Sequence, residues 1–208
     1  MTPKTIADNP RRGRPRSEKA RAAIVSAAAA LLLERGLGGV SMDAVAERAG
    51  VSKATIYRWW RTKETLALDA IYHEWDAVRP RSRLTDSLRG DLLSLLRPWV
   101  RLVSRRPYSR VIAALIAKAQ TDERFAEEYR ARFLEPRREH AAAIFRRAIE
   151  RGEIPGDTDL GVALDLLYGP FYHRLLQGHG RLDERFTRDV VQLVVAGLGA
   201  GAPGQSRS

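Results

Sequence analysis

The chain has 208 residues and no cysteine, which excludes disulfides and cysteine-ligated metal sites. Its hydrophobic fraction of 44% suffices for a packed core, and no apolar run approaches the roughly 20 residues of a membrane span. The net charge of +11 is unevenly placed, with 13 Lys/Arg against 5 Asp/Glu in residues 1–63 and 23 against 20 in the rest. That pattern fits a polyanion-binding module joined to a balanced one, or a solubilising tail on an Arg-rich protein.

Strand-type alternation is scarce, and Ala, Leu, Arg and Glu dominate, so the chain reads as all-α with about nine helices. Residues 1–16, with Pro3, Pro10, Pro15 and the cluster RRGRPR, form a disordered basic arm. Ser17 caps a first helix to Arg35, in which Ile24, Val25, Ala28, Leu31 and Leu32 recur at helical spacing. Gly36, Gly38 and Gly39 stop it. Ser41 caps the second helix, with Asp43 in its first turn and Met42, Val45, Ala46 and Ala49 on its apolar face. Gly50 supplies a tight turn at positive φ.

Ser52 caps a third helix over Lys53–Trp60, whose Ile56 and Trp60 are four apart and point into a small core. Thr62 begins a fourth helix that runs to Val78 and is ended by Pro80. Further helices are predicted near 84–104, 107–119, 122–151, 159–178 and 183–198. Pro98, Pro136 and Pro170 fall inside these stretches. Pro136 predicts a bend in the 122–151 stretch, and Gly169-Pro170 a bend or local widening. The Gly/Ser-rich tail over 200–208 is flexible. The N-terminus lacks the apolar centre of a secretory signal, so the expected location is cytoplasmic, with no membrane partner.

Residues 41–63, SMDAVAERAGVSKATIYRWWRTK, place two short helices around Gly50 and end in aromatic and basic side chains. That arrangement fits a helix-turn-helix, whose second helix enters the major groove and reads base edges from its N-terminal part. Lys53, Ala54, Thr55, Arg58 and Trp59 are the outward candidates. Ala54 is small enough for close approach, Thr55 can donate or accept, and Arg58 suits guanine or a phosphate. Tyr57 and Lys63 are placed for phosphate contacts at the flanks and Ser41 at a helix N-terminus, and Ser52 is a further DNA-binding candidate. Arg14 and Arg16 of the arm fit either insertion into a narrow minor groove or nonspecific phosphate attraction.

In order, LLLERG, SMDAVA, AGVSKATIYRWW and KETL resemble the DNA-binding segment of the TetR family of bacterial transcriptional regulators, over about Ser17 to Ile71. The resemblance implies an N-terminal three-helix DNA-binding domain over 17–62 and a C-terminal helical ligand-binding and dimerisation domain over 63–199. It further implies a homodimer on a pseudo-palindromic double-stranded operator, and repression relieved by an unknown small-molecule effector. By position, Tyr57 and Lys63 correspond to phosphate contacts and Lys53, Ala54 and Thr55 to DNA contacts. Where relatives often carry His, Tyr or Phe near the tryptophan pair, this chain has Arg58, Trp59 and Trp60, with Trp60 in the core aromatic role.

For a pocket, the candidates are Trp99, Val103, Tyr108, Ile112, Phe125, Tyr129, Phe133, Phe145, Tyr168, Phe171 and Tyr172, which would equally serve as core. Leu164, Leu167, Leu175 and Leu176, with Leu193, Val194 and Leu198, are the candidates for a dimer face, or again for core. No HExxH, GxSxG, P-loop or GxGxxG occurs, so neither an enzyme, a metal site nor a cofactor is expected. The competing expectations are a DNA-binding protein without ligand control, a transcriptional activator, and a helical ligand-binding protein or enzyme whose basic N-terminus is incidental.

Overall fold

The helix signals translate into ten α-helices and one π-helical turn among the residues that the computed structural model describes, 14–78 and 85–199, with side chains from Ser17 onward. Of the arm expected over 1–16, residues 1–13 lie outside this description, as do the tail, the Pro80 stop and the side chains of Arg14 and Arg16, while the backbone of 14–16 is helical rather than disordered. Helix α1 (Arg14–Arg35) starts three residues before the expected cap, so Ser17 sits inside it. Pro15 is compatible with that start, because first-turn amides have no intrahelical acceptor to lose.

Helix α2 (Met42–Ala49) follows the predicted chemistry. The Ser41 hydroxyl accepts from the Ala44 amide at 3.2 Å, and Gly50 closes the helix at φ +64°. The Val51 amide reaches Ala46 O at 3.0 Å and the Gly50 amide reaches Glu47 O at 3.2 Å, which is the paired C-terminal closure that a left-handed residue permits. Helix α3 is shorter than expected, Lys53–Tyr57, capped by Ser52. Beyond it the chain tightens, and the Trp59 and Trp60 amides both donate to Ile56 O, at 3.0 and 3.1 Å. Helix α4 (Lys63–Val78) begins where the Thr62 hydroxyl accepts from the Thr65 amide.

The remaining helices are α5 (Leu88–Val103), α6 (Arg106–Thr121), α7 (Glu123–Tyr129), α8 (Glu135–Glu150), α9 (Leu160–Gln177) and α10 (Glu184–Gly199). The stretch expected as one bent helix over 122–151 is divided by a π-turn, Arg130–Leu134, between α7 and α8. Pro136 accounts for the position: its ring would press on the carbonyl of Arg132, four residues back, and it brings no N–H to that carbonyl. The wider π geometry, with Glu135 N–H donating to Arg130 O, accommodates this.

Helix α1 packs on α2, α4 and α6, while α10 packs on α5 and α9, and α8 on α5 and α9. One hydrophobic core runs from Ile24 to Val194 without a break between the N-terminal helices and the rest. Tyr108 of α6 adds a polar tie, donating its buried hydroxyl to Ile71 O of α4 at 3.1 Å.

The Gly50 closure yields a paired prediction. Gly50→Ala lowers the unfolding free energy by about 1 kcal/mol in urea titration, the order of the left-handed penalty, although the new methyl meets no atom within 4 Å. Gly38→Ala, also in open space and without positive φ, is neutral or stabilising by up to about 1 kcal/mol.

Candidate nucleic-acid interface

A five-residue helix has too few internal hydrogen bonds to persist by itself, so side chains on one face must hold α3 to the protein. Ile56 and Trp60 do so, at 0% and 1% exposure. The opposite face is presented to solvent: Ser52, Lys53, Ala54, Arg58 and Tyr57, the last 51% exposed. Thr55 is half-buried, with its hydroxyl 2.9 Å from that of Ser52. Ser41 is exposed at the start of α2.

The cations on this face have protein partners. Lys53 Nζ lies 2.6 Å from Asp43 Oδ1 on α2, and that hydrogen bond holds the ammonium above its ordinary pKa. Exposed pairs of this kind contribute little, so a phosphate can replace the carboxylate at small cost. The Arg58 guanidinium lies 5.8 Å from the Trp59 ring.

Two expected contacts are placed differently. Trp59 is half-buried and packed on the core, its ring 5.8 Å from that of Trp60, rather than facing outward. Because α3 ends at Tyr57, the following turn does not continue the outward face, and the indole joins the wall of a cleft of about 480 Å³ with Arg61, Thr62, Lys118, Phe125 and Arg132. Lys63 is also half-buried, and its ammonium donates to Leu37 O at 3.3 Å, stitching the start of α4 to the loop after α1.

Asp69, absent from the sequence-based candidates, is where the N-terminal helices meet the rest. Its carboxylate accepts from Trp60 Nε1 at 2.8 Å, from Arg21 Nη2 of α1 at 3.2 Å, and from Arg132 Nη2 of the π-turn. Its side chain is 11% exposed. The available signal was one carboxylate inside the otherwise apolar run LALDAI. The residue that anchors α3 is thereby bonded to the same group as the C-terminal helices.

The pocket candidates Trp99, Val103, Tyr108, Ile112, Phe125, Tyr129, Phe133, Phe145, Tyr168 and Phe171 are buried in the continuous core, with Tyr172 packed against it. Trp99, Phe133, Tyr168 and Tyr172 of this set, with Trp75, lie against Arg137 of α8, a second residue the sequence reading missed, which is 4% exposed. Of the dimer-face candidates, Leu164 and Leu167 prove to be core, and Val194 is 7% exposed. Their side of α9 faces inward alongside Ala163, Tyr168 and Phe171. The outward stripe is offset, at Val162, Leu166 and Leu176, and Leu193 of α10 is 73% exposed. Leu166, Pro170, Leu193, Gly197 and the half-buried Leu198 line an almost wholly apolar groove of about 330 Å³, while Leu175 is half-buried beside α9's other groove. Among the described residues no helix is long and apolar enough to cross a membrane.

Removing the Asp69 carboxylate leaves the buried Trp60 indole N–H without its acceptor and releases the partly solvated guanidiniums of Arg21 and Arg132. Asp69→Ala is expected to lower stability by about 2–3 kcal/mol in chemical denaturation. A loss below about 0.5 kcal/mol would show that water serves these donors equally well.

Comparison with known proteins follows the same division of the chain. Residues 24–75 match the family described as "Bacterial regulatory proteins, tetR family", and residues 83–194 match "Tetracyclin repressor-like, C-terminal domain". The chain is 38% identical over 196 residues to the uncharacterized HTH-type transcriptional regulator YdeS of Bacillus subtilis (strain 168), covering 94% of this chain and 98% of that one. It is 31% identical over 180 residues to the DNA-binding transcriptional repressor TetR of Mycobacteroides abscessus, covering 86% and 94%. The crystal structure of the TetR family transcription regulator SCO0332 superposes with a TM-score of 0.74 at 37% identity, over 86% of this chain and 98% of that one. The chain therefore belongs to the TetR family of bacterial transcriptional regulators, which are not enzymes.

Proposed function

We propose that this regulator is a cytoplasmic homodimeric repressor that reads a pseudo-palindromic operator with α3 and is released by a small-molecule effector held among its C-terminal helices. One observation carries the DNA-reading half: Ile56 and Trp60 are sunk in the core while Lys53, Ala54, Tyr57 and Arg58 face out. In this reading residues 17–62 are the DNA-binding domain and 63–199 the effector and dimerisation domain. Ala54 and Thr55 approach base edges, and Arg58 takes guanine or a phosphate. Tyr57, Lys53, Ser41 and Ser52 fix the register on phosphates, and Arg14 and Arg16 follow the adjacent minor groove. Lys63 acts at one remove, holding the start of α4 through Leu37 O.

Repression is favoured by the likeness to the Mycobacteroides abscessus relative, a DNA-binding transcriptional repressor. Dimerisation is supported by the apolar groove between α9 and α10, because an exposed stripe with Leu193, Leu166 and Val162 asks for a cover and a twofold axis supplies the same stripe from a second copy. Effector control is supported by Asp69, which joins the anchor of α3 to Arg132. An effector that moves the π-turn shifts that joint and with it the separation of the two reading helices. Operator and effector then oppose each other by linkage.

Selection of bound sequences from a random duplex pool tests the reading. A twofold symmetric consensus is expected, and recovery of no consensus would contradict sequence-specific reading. Lys53→Ala should weaken binding to all duplexes alike and lower the log–log salt slope by about 1. Leu193→Glu should sediment as a monomer and bind the selected operator at least about tenfold more weakly, since one half-site is then lost.

A further inference from the structure

Arg137 holds its charge in the protein interior without an anion. A guanidinium has five N–H donors and stays protonated, so burial demands acceptors and a counter-charge. One donor is satisfied: Nη1 donates to the Tyr172 hydroxyl at 2.8 Å. Nε is buried and has no acceptor. Among the described residues no carboxylate oxygen lies within 4.0 Å of the group. Arg138, one residue on and pointing outward, is by contrast paired with Asp165.

What surrounds Arg137 instead is aromatic. Its guanidinium carbon lies 4.6 Å from the Trp99 ring centre, 5.1 Å from Phe133, 5.4 Å from Tyr168 and 5.7 Å from Trp75. Ring faces attract the cation but do not accept its in-plane N–H bonds. Trp99 Nε1 of the same cage is a second buried donor without an acceptor. The cage thus holds one positive charge, two donors without acceptors, and walls that are otherwise apolar.

We propose that this cage is the charged end of the effector site, and that the effector is an organic carboxylate whose anionic group pairs with Arg137 and Trp99 Nε1 while its apolar body lies among the rings. The inference rests on the ligand-responsive reading above and names the chemistry of the ligand. Charge neutrality selects the class: one buried cation balances one monoanion, whereas a phosphate dianion would leave a net charge in a medium that solvates it poorly. A carboxylate is also flat and acceptor-only, matching in-plane donors. The position suits signalling. Phe133, stacked on Arg137, lies in the π-turn next to Arg132, which binds Asp69.

The test uses the full chain without DNA, with the intrinsic tryptophan fluorescence as readout. Probes are hexanoate, decanoate and phenylbutyrate, their primary amides, and inorganic phosphate. At least one carboxylate should bind at least about tenfold more tightly than its amide and raise the unfolding temperature, and phosphate should not bind. Arg137→Met should erase the preference for the carboxylate, and Arg137→Lys should keep it at reduced affinity. If Arg137→Met does not fold, the lysine variant and the wild-type carboxylate–amide comparison decide. Equal binding of acid and amide, binding of phosphate alone, or no binding by any carboxylate overturns the proposal. A second arm adds the selected operator. A carboxylate that binds but leaves operator affinity unchanged contradicts ligand control and spares the site. Operator release by a neutral compound that competes with no carboxylate contradicts the carboxylate site and spares ligand control.

Discussion

The hold on α3 is the constraint from which the rest follows. Five residues capped by Ser52 cannot maintain a helix in water, and only Ile56 within them is buried. The helix persists because the chain returns immediately into the core through Trp60, whose indole N–H is fixed on Asp69. Because these anchors lie on one side, the other side carries Lys53, Ala54, Tyr57 and Arg58 to the surface, where their contacts are exposed ones. A short rigid rod with one rooted face and one bare face is what docking in a groove requires.

Two charges of opposite sign, half-buried Asp69 and buried Arg137, are treated in opposite ways, and the difference assigns their roles. Asp69 is surrounded by three donors from α1, the turn after α3, and the π-turn, so it acts as a mechanical joint. Arg137 has one phenol and four rings, so its charge is left to be completed. The π-turn lies between them: Arg132 faces the joint and Phe133 faces the cage. Pro136 fixes where that irregular turn falls.

Local chemistry was legible in the sequence, and partnerships across the chain were not. The caps at Ser41 and Ser52, the positive φ at Gly50 and the inward pair Ile56–Trp60 all depend on residues within four positions of one another, and each appears in the structure as read. The Asp69 bonds to Arg21 and Arg132 span 48 and 63 positions, and the Arg137–Tyr172 bond spans 35, so no spacing rule reaches them. Periodicity located the apolar residues of α9 but not which side of the helix faces the core: Leu164 and Leu167 are buried, and Leu166 in the same turn is exposed. Trp59 was misplaced because its orientation depends on α3 ending at Tyr57, which the cap residues do not encode.

The most direct measurement asks whether α3 dictates the bases chosen. Operators reselected with Thr55→Gln, a change that lengthens one side chain beside Ala54 and leaves Ile56, Trp60 and Asp69 in place, should differ from the wild-type consensus at a single position in each half-site, symmetrically about the centre. A consensus unchanged by that substitution and by a matching change at Ala54 would mean that another surface reads the DNA.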